Sequence, residues 1–142
     1  MHATQRPMSF RVVAAVALLW NLFGLFSFYM HFSATPDVVA SWPEAQQQIA
    51  AATPRWIYAA FAIATVGGVL GSLGLLLRKR WAVPVLLLSL LGIVVQFGSV
   101  YALTPAWALS GIGGAILPLC IALFGLFLWW YAGKAAARGW LG

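Results

Sequence analysis

The sequence predicts an all-α membrane protein, with four transmembrane helices in one antiparallel bundle that forms a single domain. Of its 142 residues, 63% are hydrophobic and only 7% are charged, whereas a soluble domain carries about a quarter charged residues. Four long apolar runs are each sufficient to cross a membrane, because about 20 helical residues span the hydrocarbon core. They cover residues 10–32, 56–77, 82–103 and 107–131.

Basic residues predict the orientation of these helices. With the N-terminus inside, seven of the eight basic residues lie on the inner side, and both acids, Asp37 and Glu44, lie outside. The inner residues are Arg6, Arg11, Arg78, Lys79, Arg80, Lys134 and Arg138. Because positive residues in short loops stay in the cytoplasm, we predict that both termini are cytoplasmic. The turn of Arg78, Lys79 and Arg80 then meets anionic lipid headgroups.

The first span carries an amide, Asn21, at its midpoint. At 100° per residue, Asn21 shares one helix face with Gly24 and Ser27. An unsatisfied polar group in the bilayer costs several kcal/mol. Asn21 therefore either bonds to another helix, which is worth about 1 kcal/mol, or faces a solute. The residues favour the interhelical bond.

The loop of residues 33–55 is the only long connection, and the predicted topology places it outside. Ser41, Pro43 and Glu44 fit a capping box with proline in the first turn. This pattern predicts a short helix over residues 42–51, ending before Pro54. Its apolar side favours a helix that lies on the outer membrane surface. A lid over an outward-facing cavity is the alternative.

The second span has the composition of a packing helix. Gly67, Gly71 and Gly74 lie along one stripe with Ala60 and Ala64. In lipid, small residues let helix backbones approach closely, and this contact supplies much of the association energy. The stripe serves either the interior of the bundle or the interface of a homo-oligomer.

The third span carries the narrowest polar stripe of the chain. Ser89, Gln96 and Ser99 lie on one face together with Gly92. Gln96 is the second amide that the predicted topology buries in the membrane. The stripe is therefore a candidate for contact with a polar solute.

The fourth span places small residues and a proline on one arc. Gly111, Gly114 and Pro118 share this face, and we assign them to helix packing. Pro118 lacks an N–H and is predicted to kink the helix, which frees one carbonyl for another partner.

Three stretches resemble a family of small four-helix proteins of bacterial inner membranes that are commonly labelled sugar transporters. They read ALLWNLFGLF at 17–26, GGVLGSLGLLLRKRWAVPVLLLSLLG at 67–92 and WWYAGKAAARGWL at 129–141. The resemblance implies a multi-pass protein of the bacterial inner (plasma) membrane that transports a sugar. The family has an acidic residue three positions after the first-span glycine, where this chain has Ser27. A carboxylate-dependent site is therefore not implied.

The residue types also exclude several functions. No charged residue lies in the interior of a span, whereas ion-coupled or proton-coupled transport uses such groups. No nucleophile–base pair or pair of carboxylates lies within a plausible site, so we predict that the protein is not an enzyme. No spacing of Cys, His, Asp and Glu is typical of a metal site. We expect no cofactor, and no nucleic-acid partner because no recognition module is present.

Two functions remain. The first is an uncoupled carrier for a small neutral solute such as a sugar, since amides and hydroxyls are suitable partners for sugar hydroxyls. Its solute-facing residues would be Asn21, Ser27, Ser89, Gln96 and Ser99. The second is a non-transporting accessory or scaffold subunit that packs against itself or a larger membrane complex. The residues alone favour the accessory subunit, and the resemblance favours the carrier.

Overall fold

The computed structural model describes residues 8–142, which form six helices joined by short connections. They are α1 (Met8–Phe32), α2 (Pro36–Ala40), α3 (Glu44–Ala52), α4 (Arg55–Leu76), α5 (Ala82–Leu103) and α6 (Ala106–Ala137). Four of these helices, α1, α4, α5 and α6, are long and apolar enough to cross a membrane. The predicted all-α membrane protein with four spans is confirmed. α6 extends past the predicted end at residue 131, because the Lys-Ala-Ala-Ala segment that follows consists of strong helix formers.

The four long helices pack in the order α1, α4, α5, α6. α4 contacts α1 on one side and α5 on the other, and α6 packs on α5. α1 and α6 meet mainly through aromatic rings. The Phe10 and Tyr131 centroids lie 6.2 Å apart, and those of Trp20 and Phe124 lie 5.4 Å apart. The boundary between α1 and α6 is therefore the least closely packed seam of the bundle.

Small residues form the contact between α4 and α5. A Cβ added to Gly67 would lie 3.1 Å from the Cβ of Ser89, and Gly71 and Gly74 likewise face α5. From the α5 side, Gly92 lies directly against the α4 backbone. Close backbone approach of this kind is a principal source of helix association in lipid. The glycine stripe of the second span lies inside the bundle in this structure.

The basic residues gather at one end of the bundle. The Arg80 N–H donates to the Gly142 carbonyl at 3.0 Å, and the Gly142 N–H donates to the Arg78 carbonyl at 2.7 Å. The Phe10 ring packs on Trp140 at 5.6 Å, which brings the start of α1 to the same place. We call this the basic end, and the opposite end, which contains residues 33–55, the loop end. Arg6 lies outside the described residues.

The loop contains two helices where one was predicted. Thr35 caps α2, since its Oγ1 accepts the Val38 N–H at 3.4 Å. Ser41 ends α2, and its Oγ donates back to the Val38 carbonyl at 2.5 Å. α3 begins at Glu44 with Pro43 at its N-cap and no side-chain cap. The capping-box prediction for Ser41 was wrong because an earlier helix uses that serine at its C-terminus.

The break in α6 lies at Gly111 rather than at the predicted Pro118. Gly111 has φ 63° and ψ −157°, a conformation that favours glycine, and it is the residue of α6 with non-helical dihedrals. Pro118 removes the usual partner of the Gly114 carbonyl, but the Tyr101 Oη donates to that carbonyl at 3.1 Å. α6 therefore continues helically through the proline.

Of the two glycines assigned to helix packing on α6, Gly111 does not pack against another helix. A Cβ added to Gly111 would meet no atom within 4 Å, and one added to Gly114 would first meet Ser110 of the same helix. The assignment of Gly111 needs correction, whereas Gly114 contacts α5 through its carbonyl, which accepts from Tyr101. The break at Gly111 turns this part of α6 away from the face that a continuous helix would present.

Arg78 occupies a position that usually holds glycine. Its φ is 60°, and it ends α4 in a motif in which the Lys79 N–H donates to the Gly74 carbonyl at 2.8 Å. Such a motif commonly has glycine at the left-handed residue. At the end of α6 the equivalent position is Gly139, with φ 77°.

We expect Arg78→Gly to stabilise the protein by about 1 kcal/mol, because glycine removes the cost of a left-handed side-chain-bearing residue. In thermal unfolding in detergent this gain should appear as a rise of about 2–4 °C in Tm. Arg78→Lys keeps both the charge and the strain and should match the parent. A Tm for Arg78→Gly at or below that of Arg78→Lys would contradict the strain argument.

Candidate functional site

A cavity of about 410 Å³ lies between α1, α4, α5 and α6, in the half of the bundle nearer the loop end. Small-molecule sites commonly occupy about 300–1,000 Å³. Toward the basic end, the cavity is closed by a buried apolar cluster that includes Ala14, Leu75 and Ala132. Leu86 and Leu128 belong to both the cluster and the cavity wall. The bundle is therefore tightly packed at one end and hollow at the other.

Four of the five side chains predicted to face a solute line this cavity. They are Asn21 and Ser27 from α1 and Ser89 and Gln96 from α5. The polar stripes of the first and third spans therefore face one common space. Ser99 does not line the cavity, which corrects its assignment. Three residues after Gln96 the helix has turned about 60° away from the cavity face, whereas Val100 returns to it.

Some of the lining hydroxyls are already committed to the α4 backbone. The Ser89 Oγ donates to the Ala64 carbonyl at 2.6 Å, and the Thr65 Oγ1 donates to the Phe61 carbonyl at 3.0 Å. A hydroxyl has one proton to donate. Ser89 therefore joins α5 to α4, and its hydroxyl can only accept a hydrogen bond from a ligand.

Asn21 links α1 to α4. Its Nδ2 donates to the Ala17 carbonyl at 2.8 Å and to the Ser72 Oγ at 3.1 Å. The Asn21 Oδ1 lies against Gly68, where glycine leaves room for it. Asn21 and Gln96 share no hydrogen bond. The interhelical role that the sequence favoured for Asn21 is present in this structure, with Ser72 as the partner.

Among the buried polar side chains of the cavity wall, Gln96 is the one that has no hydrogen-bond partner within residues 8–142. Only 7% of the residue is exposed, and its amide takes part in none of the hydrogen bonds formed within residues 8–142. Every fully enclosed side-chain nitrogen or oxygen in these residues does have a partner. The Gln96 amide atoms must therefore open onto the cavity. An amide offers two donors and one acceptor, all available to a ligand.

The remaining wall is mostly apolar and carries no acid, lysine or arginine. Aromatic rings line it from α1, α4, α5 and α6. They are Trp20, Phe23, Phe61, Phe97 and Phe124. A few polar groups in an apolar, aromatic wall are typical of sites for small molecules. Because a buried charge without a counter-charge is costly, this wall favours an uncharged ligand.

α3 lies across the loop end of the cavity. Trp42, Gln46 and Ile49 line it, and α3 contacts α6. The Trp42 ring packs 5.1 Å from the ring of His31 at the end of α1. The structure therefore places α3 over the cavity, which was the alternative that the sequence left open. The apolar side formed by Trp42 and Ile49 was the sequence signal for this contact.

The cavity thus combines an enclosed apolar wall, an available amide at Gln96 and a helix across its outer mouth. This arrangement can bind a small neutral molecule through a few hydrogen bonds. It brings together Asn21, Ser27, Ser89 and Gln96, and it leaves out Ser99. No family model, curated protein or solved structure matches the chain.

Proposed function

We propose that this protein is a small uncoupled carrier that binds a neutral polar solute, such as a sugar, in the cavity between its four long helices. The observation that carries the proposal is Gln96, whose amide is buried yet opens onto the cavity with no partner within residues 8–142. Leaving a buried amide unpaired costs about 1–3 kcal/mol. A ligand that bonds this amide recovers that energy.

The neutral wall supports uncoupled movement. No Asp, Glu, Lys or Arg lines the cavity, and coupled transport generally uses such intramembrane groups. The histidine of the wall, His31, lies in the last turn of α1 at the loop end, where its ring bonds the Ser27 carbonyl. The solute would therefore move down its own gradient. Apolar rings with a small number of amides and hydroxyls suit a molecule that has both apolar and hydrogen-bonding faces.

The uneven packing supports alternating access. The basic end is closed by the apolar cluster, while the loop end contains the cavity. α4 and α5 are joined by close backbone contact, whereas α1 and α6 meet mainly through rings. Rocking one part of a bundle against the other around a fixed site is a common transport mechanism. Movement at the seam between α1 and α6 would open the basic end.

We place the basic end in the cytoplasm of a bacterial inner membrane, where Arg78, Lys79 and Arg80 meet anionic headgroups. The cavity then faces outward. In a chain without Cys120, a cysteine in place of Gln46 should react with an impermeant reagent added outside. Labelling from the cytoplasmic side alone would reverse the orientation.

Uptake by reconstituted protein tests the carrier. In proteoliposomes loaded with buffer, we expect the parent to admit at least one solute from a panel of radiolabelled neutral solutes that includes monosaccharides and short-chain alkyl glucosides. Gln96→Leu should lower that uptake about tenfold, the equivalent of roughly 1.4 kcal/mol of lost hydrogen bonding. Ser99→Ala is the matched control, because Ser99 lies on α5 outside the cavity. It should transport like the parent.

The alternative, an accessory or scaffold subunit, has its own supporting observation. Asn21 and Ser89 spend their donors on contacts between helices of the bundle. No uptake of any neutral solute by the parent, together with a Gln96→Leu chain as stable as the parent, would favour this alternative. Equal uptake by the parent and by Gln96→Leu would contradict the role given to Gln96.

A further inference from the structure

We propose that the cavity opens sideways into the bilayer between α1 and α6, and that its ligand is a neutral amphiphile. An uncharged, hydrogen-bonding head group would bond Gln96, and a hydrocarbon chain would leave through the side opening. The inference rests on the proposed function and narrows its substrate class. It follows from which sides of the cavity are closed, which side is open, and what surrounds the open side.

Three sides of the cavity are closed. Toward the basic end, the Trp20 ring meets Phe124 edge-on at 5.4 Å above the apolar cluster. Toward the loop end, α3 crosses the cavity and contacts α6. On the third side the wall runs from α1 through α4 and α5 to α6, since each of these helices packs on the next and the α4 and α5 backbones touch at Gly92. A ligand has no wide path through any of these three sides.

The fourth side lies between α1 and α6. Phe23 and Leu117 line the cavity, yet 71% of Phe23 and 61% of Leu117 is exposed. Because α1 and α6 make little backbone contact, these two side chains are what separates the cavity from the outside of the bundle on this side. Both residues lie within spans that are long and apolar enough to cross a membrane. The opening between them therefore meets hydrocarbon rather than water.

The surroundings of the opening determine the ligand chemistry. A free sugar in the cavity would turn some hydroxyls toward hydrocarbon, and each unpaired polar group there costs several kcal/mol. A charged lipid would bring its charge into a wall that has no Asp, Glu, Lys or Arg. An uncharged head group with an apolar chain avoids both costs. Its head pairs with the Gln96 amide, and its chain passes between Phe23 and Leu117.

Photolabelling in phosphatidylcholine nanodiscs tests this inference. The probe is an octyl glucoside that carries a diazirine on its alkyl chain, and labelled peptides are identified by mass spectrometry. We expect labelling of the α1 and α6 peptides that contain Phe23 and Leu117. Excess n-octyl-β-D-glucoside should reduce that labelling about fivefold, whereas D-glucose, the same head group without a chain, should not.

Two tryptophan variants form a matched pair. Leu117→Trp fills the opening, whereas Leu119→Trp adds the same ring to a lipid-facing position, and the two parent side chains are 61% and 60% exposed. Only Leu119, of the two, lies outside the cavity wall. We expect Leu117→Trp to reduce competable labelling about fivefold. Leu119→Trp should label like the parent.

The outcomes separate this inference from the proposed function. If D-glucose competes as well as octyl glucoside, and Leu117→Trp labels like the parent, the ligand enters from water. The proposal of an amphiphilic ligand is then wrong, while the proposed carrier function is unaffected. If octyl glucoside competes but Gln96→Leu is labelled as strongly as the parent, no head group bonds Gln96, and both proposals fail. If no labelling is competable, the amphiphilic ligand is wrong, and the uptake assay alone decides on the carrier.

Discussion

Gly92→Ala is expected to destabilise the bundle by about 3 kcal/mol, the upper end of the range for overpacked cores. The added Cβ would lie 2.9 Å from the Ala64 nitrogen and 3.0 Å from the Ala60 carbonyl oxygen. Both atoms belong to the α4 backbone, which cannot rotate aside as a side chain would. α4 and α5 must separate instead, which weakens the most extensive contact between two helices of the bundle.

The control lies on the same helix. A Cβ added to Gly98 would meet no atom within 4 Å, so Gly98→Ala only replaces glycine in a helix interior. That change stabilises by about 0.5–1 kcal/mol. Thermal unfolding in detergent should therefore show a lower Tm for Gly92→Ala and an equal or higher Tm for Gly98→Ala. Equal shifts in the two variants would show that α4 and α5 do not approach as closely as this structure has them.

Gly68→Ala is expected to cost about 2–3 kcal/mol through a different cause, the loss of a buried polar contact. The added Cβ would overlap the Asn21 Oδ1. Asn21 must then turn away and give up its bonds to Ala17 and Ser72. Ser72 is 0% exposed, so its hydroxyl would lose a partner that water cannot replace.

Removing the Asn21 side chain should remove most of the destabilisation that Gly68→Ala causes. Asn21→Ala clears the space that the new methyl group needs, although it also takes away the partner of Ser72. We expect the double variant Asn21→Ala/Gly68→Ala to be about as stable as Asn21→Ala alone, and so more stable than the sum of the single effects by at least about 1 kcal/mol. The measurement is a double-mutant cycle on thermal stability. Additive effects would mean that the two residues do not touch.

The spans were predictable because their signals are local. Length and hydropathy identify a membrane helix without reference to its neighbours, and all four predicted spans match helices of the structure to within a few residues, apart from the longer end of α6. Helix-capping signals were less reliable, because two neighbouring helices can compete for the same capping residue. On sequence alone Ser41 fits the N-cap of a helix. In the structure Thr35 begins an earlier helix, and Ser41 is the C-cap of that helix.

The polar residues of the candidate site were predictable from the sequence, but their arrangement around a cavity was not. The sequence identifies Asn21 and Gln96 as amides within spans, yet which of them keeps an available amide depends on the helix that each one faces. Asn21 finds Ser72 on α4, and Gln96 finds the cavity. Helical periodicity placed Ser99 with Gln96 on one polar stripe, and in the structure the cavity reaches Gln96 but not Ser99. The position of α3 depends on a contact with α6 that no local pattern contains.

The central claim is that the Gln96 side chain opens onto a cavity that admits polar molecules, and the reactivity of a cysteine at this position tests it most directly. Thiolate is the reactive form of cysteine, and apolar surroundings keep a thiol protonated and inert. In a chain without the exposed Cys120, the variants to compare are Gln96→Cys and Val95→Cys. Val95 is 47% exposed on the outer face of the same helix.

Each variant is treated with N-ethylmaleimide in nanodiscs, and the rate of modification is measured by mass spectrometry. We predict that Gln96→Cys reacts about tenfold faster than Val95→Cys, because a cavity of this size that is lined by polar groups such as Asn21 and Ser27 can hold water, and hydrocarbon does not. Equal rates at the two positions would show that position 96 faces an apolar environment and would contradict the proposed binding site.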